Sequence, residues 1–442
     1  MRFTTDKQTL DDLNILGRYK HHSIFSLFNH VITKEASRRL EQMFNEPLDS
    51  IKNINEIANT FQFFQELKVS LPFTAKEFNG MEQYLKNRQS KNRFLAATHI
   101  CKSKFLNFAV NDKNYPLLKN GLLNTIKILT VLRPLVESIE KQAHNITYYE
   151  TAKRMLDYMN SKYLQPVFQF SKANDLKFID VLKLDYLLRG LLQKENSIFL
   201  NDIYNMDIYI AVSNIARKNS FTYSKMVSRE ENKIDIKGVF HPSIPNAVDN
   251  DVCIGKEKNV MFLTGANMAG KSTFMKSFAV AVYLAHMGFP VAAKSMTVSL
   301  HDGIYTSINV PDNLDKGHSH FYAEVMRVKH VAQEVASNKQ LVIIFDELFK
   351  GTNVKDAYDG TVAIVDAFSK RKGKYIISTH IMEAGQYLKE NNHRLFFQYL
   401  PTIVKKGKVP TYPYKLEDGI TDDRQGMMII ENENILEIIR NG

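Results

Sequence analysis

Gly265-Ala266-Asn267-Met268-Ala269-Gly270-Lys271-Ser272 decides how the rest of the chain reads. The stretch has the G-x-x-x-x-G-K-[ST] spacing of a loop that wraps phosphate in backbone N–H groups. Its flanks suit that task. The apolar run Val260-Met261-Phe262-Leu263 precedes it, as a strand to deliver the loop. A helical pattern opens at Thr273, and a helix N-terminus points free N–H groups at an anion. The chain therefore reads first as nucleotide-binding.

Two downstream runs sharpen this. Leu341-Val342-Ile343-Ile344-Phe345 is a buried-strand pattern ending in Asp346-Glu347, and Tyr375-Ile376-Ile377-Ser378-Thr379 ends in His380. Ligands bind at the carboxyl ends of strands in open α/β sheets. The three runs thus predict a site holding Lys271, Ser272, Asp346, Glu347 and His380.

Length and composition bound the answer. The chain has 442 residues, which suggests two to three domains, and 44% of them are hydrophobic, enough for a sizeable core. Its formal net charge of +11 suggests a polyanionic partner such as nucleic acid. Two distant cysteines, Cys101 and Cys253, support neither a disulfide framework nor a zinc site and fit a reducing cytoplasm. Met1–Lys7 lacks the apolar region of a signal peptide, and no stretch approaches the length of a membrane span.

The chain divides near residues 228–238. Before that point helical periodicity dominates, and nothing reads as sheet. Ile51, Ile54, Ile57, Phe61 and Phe64 form one stripe, and Leu184, Leu187, Leu188, Leu191 and Leu192 form another. Ile126, Leu129, Leu132, Leu135, Val136 and Ile139 form a third, with a kink expected at Pro134. Thr33 is expected to cap the helix that Pro47 ends. After residue 238 strand runs alternate with helices, among them Thr273–Met287 and the amphipathic helix carrying Phe321, Val325, Val328, Ala332 and Val335. That alternation predicts a parallel sheet with helical crossovers.

Each site residue has a chemical reason to be there. Lys271 suits the β- and γ-phosphates as a point charge, and the Ser272 hydroxyl suits Mg²⁺. The backbone of residues 267–273 cradles the phosphates, and Gly270 allows close approach. Asp346 at a strand end suits the metal and its waters. Glu347, one residue on, is placed to orient and deprotonate an attacking water. His380 is placed to contact the γ-phosphate or that water. Ser319, with Gly317 before it at the start of a helix, forms an anion-binding terminus or an ordinary N-cap.

These elements resemble the MutS family of DNA mismatch-repair ATPases. Thr264–Thr273 is similar to that family's TGPNMGGKST, and the Asn267-Met268 pair is unusual among phosphate loops. Asp312–Phe321 resembles its DDLxxGxSTF signature loop, with Glu324 matching an acidic position beyond it. Asp346–Thr352 resembles DEIGRGT, and Asp359-Gly360 a later DG. Ser378-Thr379-His380 resembles ATH. His241-Pro242, Asn250-Asp251 and Tyr414 to Gly419 resemble flanking elements. Segments Gln8–Leu13, Ser23–Asn29, Thr33–Pro47 and Asp207–Asn219 resemble the family's helical core or lever more weakly, and residues 70–200 match poorly.

The resemblance has departures. Lever-like sequence begins almost at Met1, so no mismatch-recognition domain is expected, and classical mismatch reading is not implied. The segment available for a DNA clamp is short. Ala247 stands where the family carries an aromatic that stacks on adenine.

The expectation is an all-helical lever domain over residues 1–227 and an ABC-type P-loop NTPase α/β domain over 235–442. The resemblance implies a cytoplasmic ATP hydrolase that uses ATP and Mg²⁺. Catalytic roles fall to Glu347, Lys271 and His380. Phosphate binding falls to Gly265, Ala266, Asn267, Met268, Ala269, Gly270, Lys271, Ser272 and Thr273, and metal binding to Ser272 and Asp346. Ser319 would act in trans across a homodimer, and DNA is the expected partner. The basic run Lys86 to Arg93, with Lys102 and Lys104, is a candidate phosphate-backbone contact. The rival reading is a MutS-like ATPase switch that regulates a protein partner without touching DNA.

Overall fold

The computed structural model describes residues 3–17, 22–308, 320–403, 410–421 and 435–441. The chain packs as two units. One comprises Met1–Phe28, Met43–Ala58 and Ala216–Gly442, and the other Asn29–Gln42 and Asn59–Ile215.

The first unit holds the sheets. Its strands among the described residues are β1 (Lys225–Val227), β2 (Ile234–Val239), β3 (Asn250–Ile254), β4 (Val260–Gly265), β5 (Ser295–Ser299), β6 (Gly303–Ser307), β7 (Leu341–Phe345), β8 (Lys374–Ser378), β9 (Leu395–Leu400) and β10 (Glu417–Asp418). The larger sheet has the order β10-β9-β4-β8-β7-β6. All its pairings are parallel except β10 with β9. Every residue of β4, β7 and β8 is buried, because helices cover both faces of a parallel sheet. Phe262, Ile343, Phe345, Tyr375 and Ile377 pack with Val331 and Val335 of helix His320–Ala336 and Val365 and Phe368 of helix Val354–Ser369. Each such side chain contributes roughly 1.5–3 kcal/mol by leaving water.

The smaller sheet, β1-β5-β2-β3, is mixed. Strand β1 corrects the expectation of no sheet before residue 228. Three residues are too few to show alternation, and their pairing partner β5 is remote in sequence.

The N-terminal segment covers the edge strand β6. Thr4 pairs in parallel with Gly303, its N–H donating to Asp302 O at 2.7 Å, and Ile304 N donates to Thr4 O at 3.0 Å. A Cβ on Gly303 would meet Thr4 O at 2.2 Å, so only glycine fits. Asp6 caps helix Lys7–Asp12 and is ion-paired with Arg327, while Asp12 accepts from the Thr306 hydroxyl at 2.7 Å. These contacts satisfy an edge that would otherwise expose unpaired donors and acceptors.

The second unit is helical. Thr33 Oγ1 accepts from Ala36 N at 3.2 Å, capping helix Lys34–Asn45. Helix Asn114–Gln142 runs through Pro134. The Leu184–Leu192 stripe leaves α geometry for a π-helical stretch, Tyr186–Leu191, before helix Gln193–Lys218 begins. No helix among the described residues is long and apolar enough to cross a membrane.

Candidate nucleotide-binding site

Strand β4 delivers Gly265 at the carboxyl edge of the sheet with φ +147°, and a Cβ there would stand 3.0 Å from Leu400 O of the adjacent strand. The chain then turns through Ala266–Gly270. Gly270, at φ +102°, precedes helix Lys271–His286. The left-handed conformation and the free first turn leave backbone N–H groups without helical acceptors, the arrangement that favours an anion. Met268 at φ +69° projects into solvent, 79% exposed.

Lys271 is buried. Its ammonium donates to Gly265 O at 2.7 Å and Ala266 O at 3.1 Å, so it lies across the concave side of its own loop. Burial lowers its pKa, and the charges of Asp346 and Glu347 partly oppose that shift.

Beside it the strand ends converge. The Ser272 hydroxyl donates to Asp346 Oδ2. Asp346 Oδ1 accepts from Ser378 Oγ at 2.6 Å, and Ser378 Oγ accepts from Glu347 N at 3.0 Å. Asp346 is fixed from behind as well, its N–H donating to Ser307 O at 2.9 Å. Glu347 adopts φ +55°, off the strand path. Its Oε1 lies 2.8 Å from His380 Nε2 and its Oε2 3.4 Å from Lys350 Nζ. The hydrogen bond to His380 is the largest cause holding the Glu347 pKa down at about 2, against a smaller opposing effect of burial.

A cleft of about 540 Å³ opens over these groups. Ala266, Asn267, Met268, Gly270, Lys271, Ser272, Thr273 and Glu347 line one part of it. His241, Ile244, Pro245, Ala247, Val248 and Tyr414 line another. Burial and the nearby Lys276 charge lower the His241 pKa to about 4, so that ring is neutral. Asn250 fastens the Tyr414 segment. Its Nδ2 donates to Tyr414 O at 2.9 Å, and its Oδ1 accepts from Leu416 N at 2.8 Å.

The structure thus brings Ser272, Asp346, Glu347 and His380 into one hydrogen-bonded chain, with Lys271 near the two carboxylates and bonded to its own loop. Asp346 joins through Ser272, and His380 through Glu347. Ala269 is buried inside the loop. Ser319, and the preceding Asp312–His318, lie outside the described residues. Sequence reasoning missed Ser378 as the link between the two carboxylate positions. Its only signal was one polar residue at the end of an apolar run. Among the described residues no three His, Cys, Asp or Glu side chains gather as a ready-made metal site.

A family model for MutS domain V matches residues 261–441. The chain is 29% identical over 237 residues to the DNA mismatch repair protein MutS of Shouchella clausii, covering 52% of this chain and 26% of that protein. It is 32% identical over 235 residues to the Lactococcus lactis subsp. cremoris protein of the same name, covering 51% and 27%. The match to the Borreliella afzelii protein is 25% identical over 428 residues, covering 96% and 45%. The chain spans about a quarter to just under half the length of these relatives. Loop, strand-end carboxylates and histidine all lie within the matched residues, and this part of the chain is similar to MutS domain V.

Proposed function

We propose that this chain is a MutS-like ATPase that binds and hydrolyses ATP at a site completed across a dimer, and that it acts on DNA. The observation that carries the reading is the continuous hydrogen-bonded chain Ser272–Asp346–Ser378–Glu347–His380 beside a buried Lys271. A buried cation next to two adjacent carboxylates at a strand end is the donor and charge set that a phosphate and its metal need, and this supports the reading.

In this reading residues 235–442 form an ABC-like ATPase domain and the helices of residues 1–227 a lever. Backbone N–H groups of 265–273 hold the phosphates. Lys271 exchanges its loop carbonyls for the β- and γ-phosphates. Ser272 Oγ and Asp346 are hard oxygen donors, and one carboxylate plus substrate phosphates is the set Mg²⁺ favours. When bound, Mg²⁺ neutralises charge on the phosphate oxygens. Glu347 orients water for attack on the γ-phosphorus as the bond to ADP breaks. With a pKa near 2 it is ionised at neutral pH but is a weak proton acceptor while His380 holds it. Its acceptance of the water proton therefore requires that contact to loosen when the γ-phosphate arrives. Ser319 of a second copy approaches the γ-phosphate.

The basic balance of the chain supports DNA over a purely protein partner. The discriminating experiment measures steady-state ATPase rate with and without duplex and branched DNA, at two salt concentrations. A DNA-dependent change in rate that fades with salt supports the reading. A rate indifferent to every DNA at low salt favours the switch that regulates a protein.

A further inference from the structure

Helix Arg93–Val110 of the helical unit shows an unusual outer face. Phe94 is 75% exposed, Phe105 66% and Phe108 91%. At about 100° per residue these three rings fall within an arc of about 60°, facing away from the buried Ala96 and Ile100. Lys102 and Lys104 lie on opposite sides of that arc. Exposed aromatics aligned in this way mark a contact surface.

The charges around the rings say what kind. From Gln83 to Val110 the chain contains six Lys or Arg residues and no Asp or Glu. Lys86 pairs with Glu82, and Lys104 lies 4.0 Å over the Phe178 ring. Arg88, Lys91, Arg93 and Lys102 are in no ion pair among the described residues. A protein core partner would find unpaired cations, and a neutral apolar partner would leave them uncompensated. A polyanion with accessible flat faces satisfies both features, and single-stranded nucleic acid is that polymer. A duplex offers the phosphates but keeps its bases stacked inside.

We infer that this face binds unpaired bases of single-stranded DNA, with Phe94, Phe105 and Phe108 as stacking platforms and Arg88, Lys91, Arg93 and Lys102 on the backbone. This rests on the reading of the chain as a DNA-acting ATPase and adds the form of DNA recognised. The rings lie about 16 Å apart from Phe94 to Phe105 and about 4–5 Å from Phe105 to Phe108 along the helix axis. The first interval accommodates more than one nucleotide, and the second a single stacked step.

The test uses the full chain and a labelled single-stranded oligonucleotide, with a duplex of the same sequence, at about 50 and 200 mM salt. F94A/F105A/F108A is expected to lose single-strand affinity at least about fivefold per ring while duplex affinity stays within twofold. The rings are solvent-exposed, so the fold is expected to survive, and circular dichroism checks it. The chain contains no tryptophan, so Phe105→Trp supplies a lone reporter whose emission stacking should quench with single strands and not with duplex. Unchanged single-strand affinity in the triple variant, together with no quenching, overturns the inference. So does a triple variant that changes only the oligomeric mass, which would assign the face to a second copy. Wild-type chain that binds duplex but not single strands overturns it while leaving the DNA reading intact. Wild-type chain that binds neither sinks the DNA reading itself.

Discussion

His380 Nε2 stands 2.8 Å from Glu347 Oε1, so the histidine that follows β8 holds the carboxylate that follows β7. This pair is the largest cause of the low Glu347 pKa. The folded value, about 2, is below the ordinary 4.5. The pairing therefore stabilises the fold above pH 4.5, and that contribution is lost as pH falls toward 2. His380→Ala is expected to return Glu347 toward its ordinary range and move the acid limb of the ATPase pH–rate profile upward. A profile whose acid limb stays in place would show that His380 does not set the state of Glu347.

Buried histidines make the sheet-bearing unit acid-sensitive. His241 and His286 are held neutral with pKa values near 4 by burial, and His301, whose backbone N–H donates to His286 Nε2 at 3.0 Å, is lowered well below its ordinary value by burial. Because these folded values lie below the ordinary 6.5, the unfolded chain binds more protons between pH 6.5 and 4. Stability falls as pH falls through that window. From pH 7.5 to 5 the loss is about 2 kcal/mol for each of His241 and His286. Denaturant unfolding at the two pH values checks this, and equal midpoints would contradict it.

Asn250 is buried and serves both the backbone of Tyr414 and that of Leu416. Asn250→Ala removes both bonds and leaves a carbonyl and an N–H beneath the cleft unpaired, costing about 1–3 kcal/mol. Thermal unfolding should register that cost, and nucleotide affinity should fall with it. A stable variant of unchanged affinity would mean that the Tyr414 segment does not shape the cleft.

Much of this site was readable before any coordinates. The runs 260–263, 341–345 and 375–378 were legible because strands buried on both faces are written as unbroken apolar letters. Gly270 and Lys271 were legible because few other residues tolerate that conformation or supply that charge. The rest depended on contacts remote in sequence. Thr4 beside Gly303 carries no local signal, nor does β1 beside β5. Ser378 looked like a strand end and acts as a clasp between Asp346 and Glu347, since a hydroxyl shows its partners only when the fold is known. The π-helical stretch at Tyr186–Leu191 hid inside a leucine stripe that reads as ordinary helix.

The composite-site proposal is tested by complementation. Ser319→Arg should lower ATPase activity while ATP still binds, and Lys271→Ala should weaken nucleotide binding itself. Mixing the two inactive variants should restore part of the activity, because a mixed dimer keeps one intact site. If heterodimers form and no mixture regains activity, or if a strict monomer hydrolyses ATP at full rate, the site is complete within one chain.

The most direct measurement compares ATP binding and turnover in wild type and Glu347→Gln. The amide keeps the size of the side chain and removes its charge. ATP affinity is expected to hold and turnover to drop by about 10²-fold or more, the range for a positioned base. Hydrolysis by Glu347→Gln at the wild-type rate would contradict the assignment of this cleft as a hydrolytic site built around Glu347.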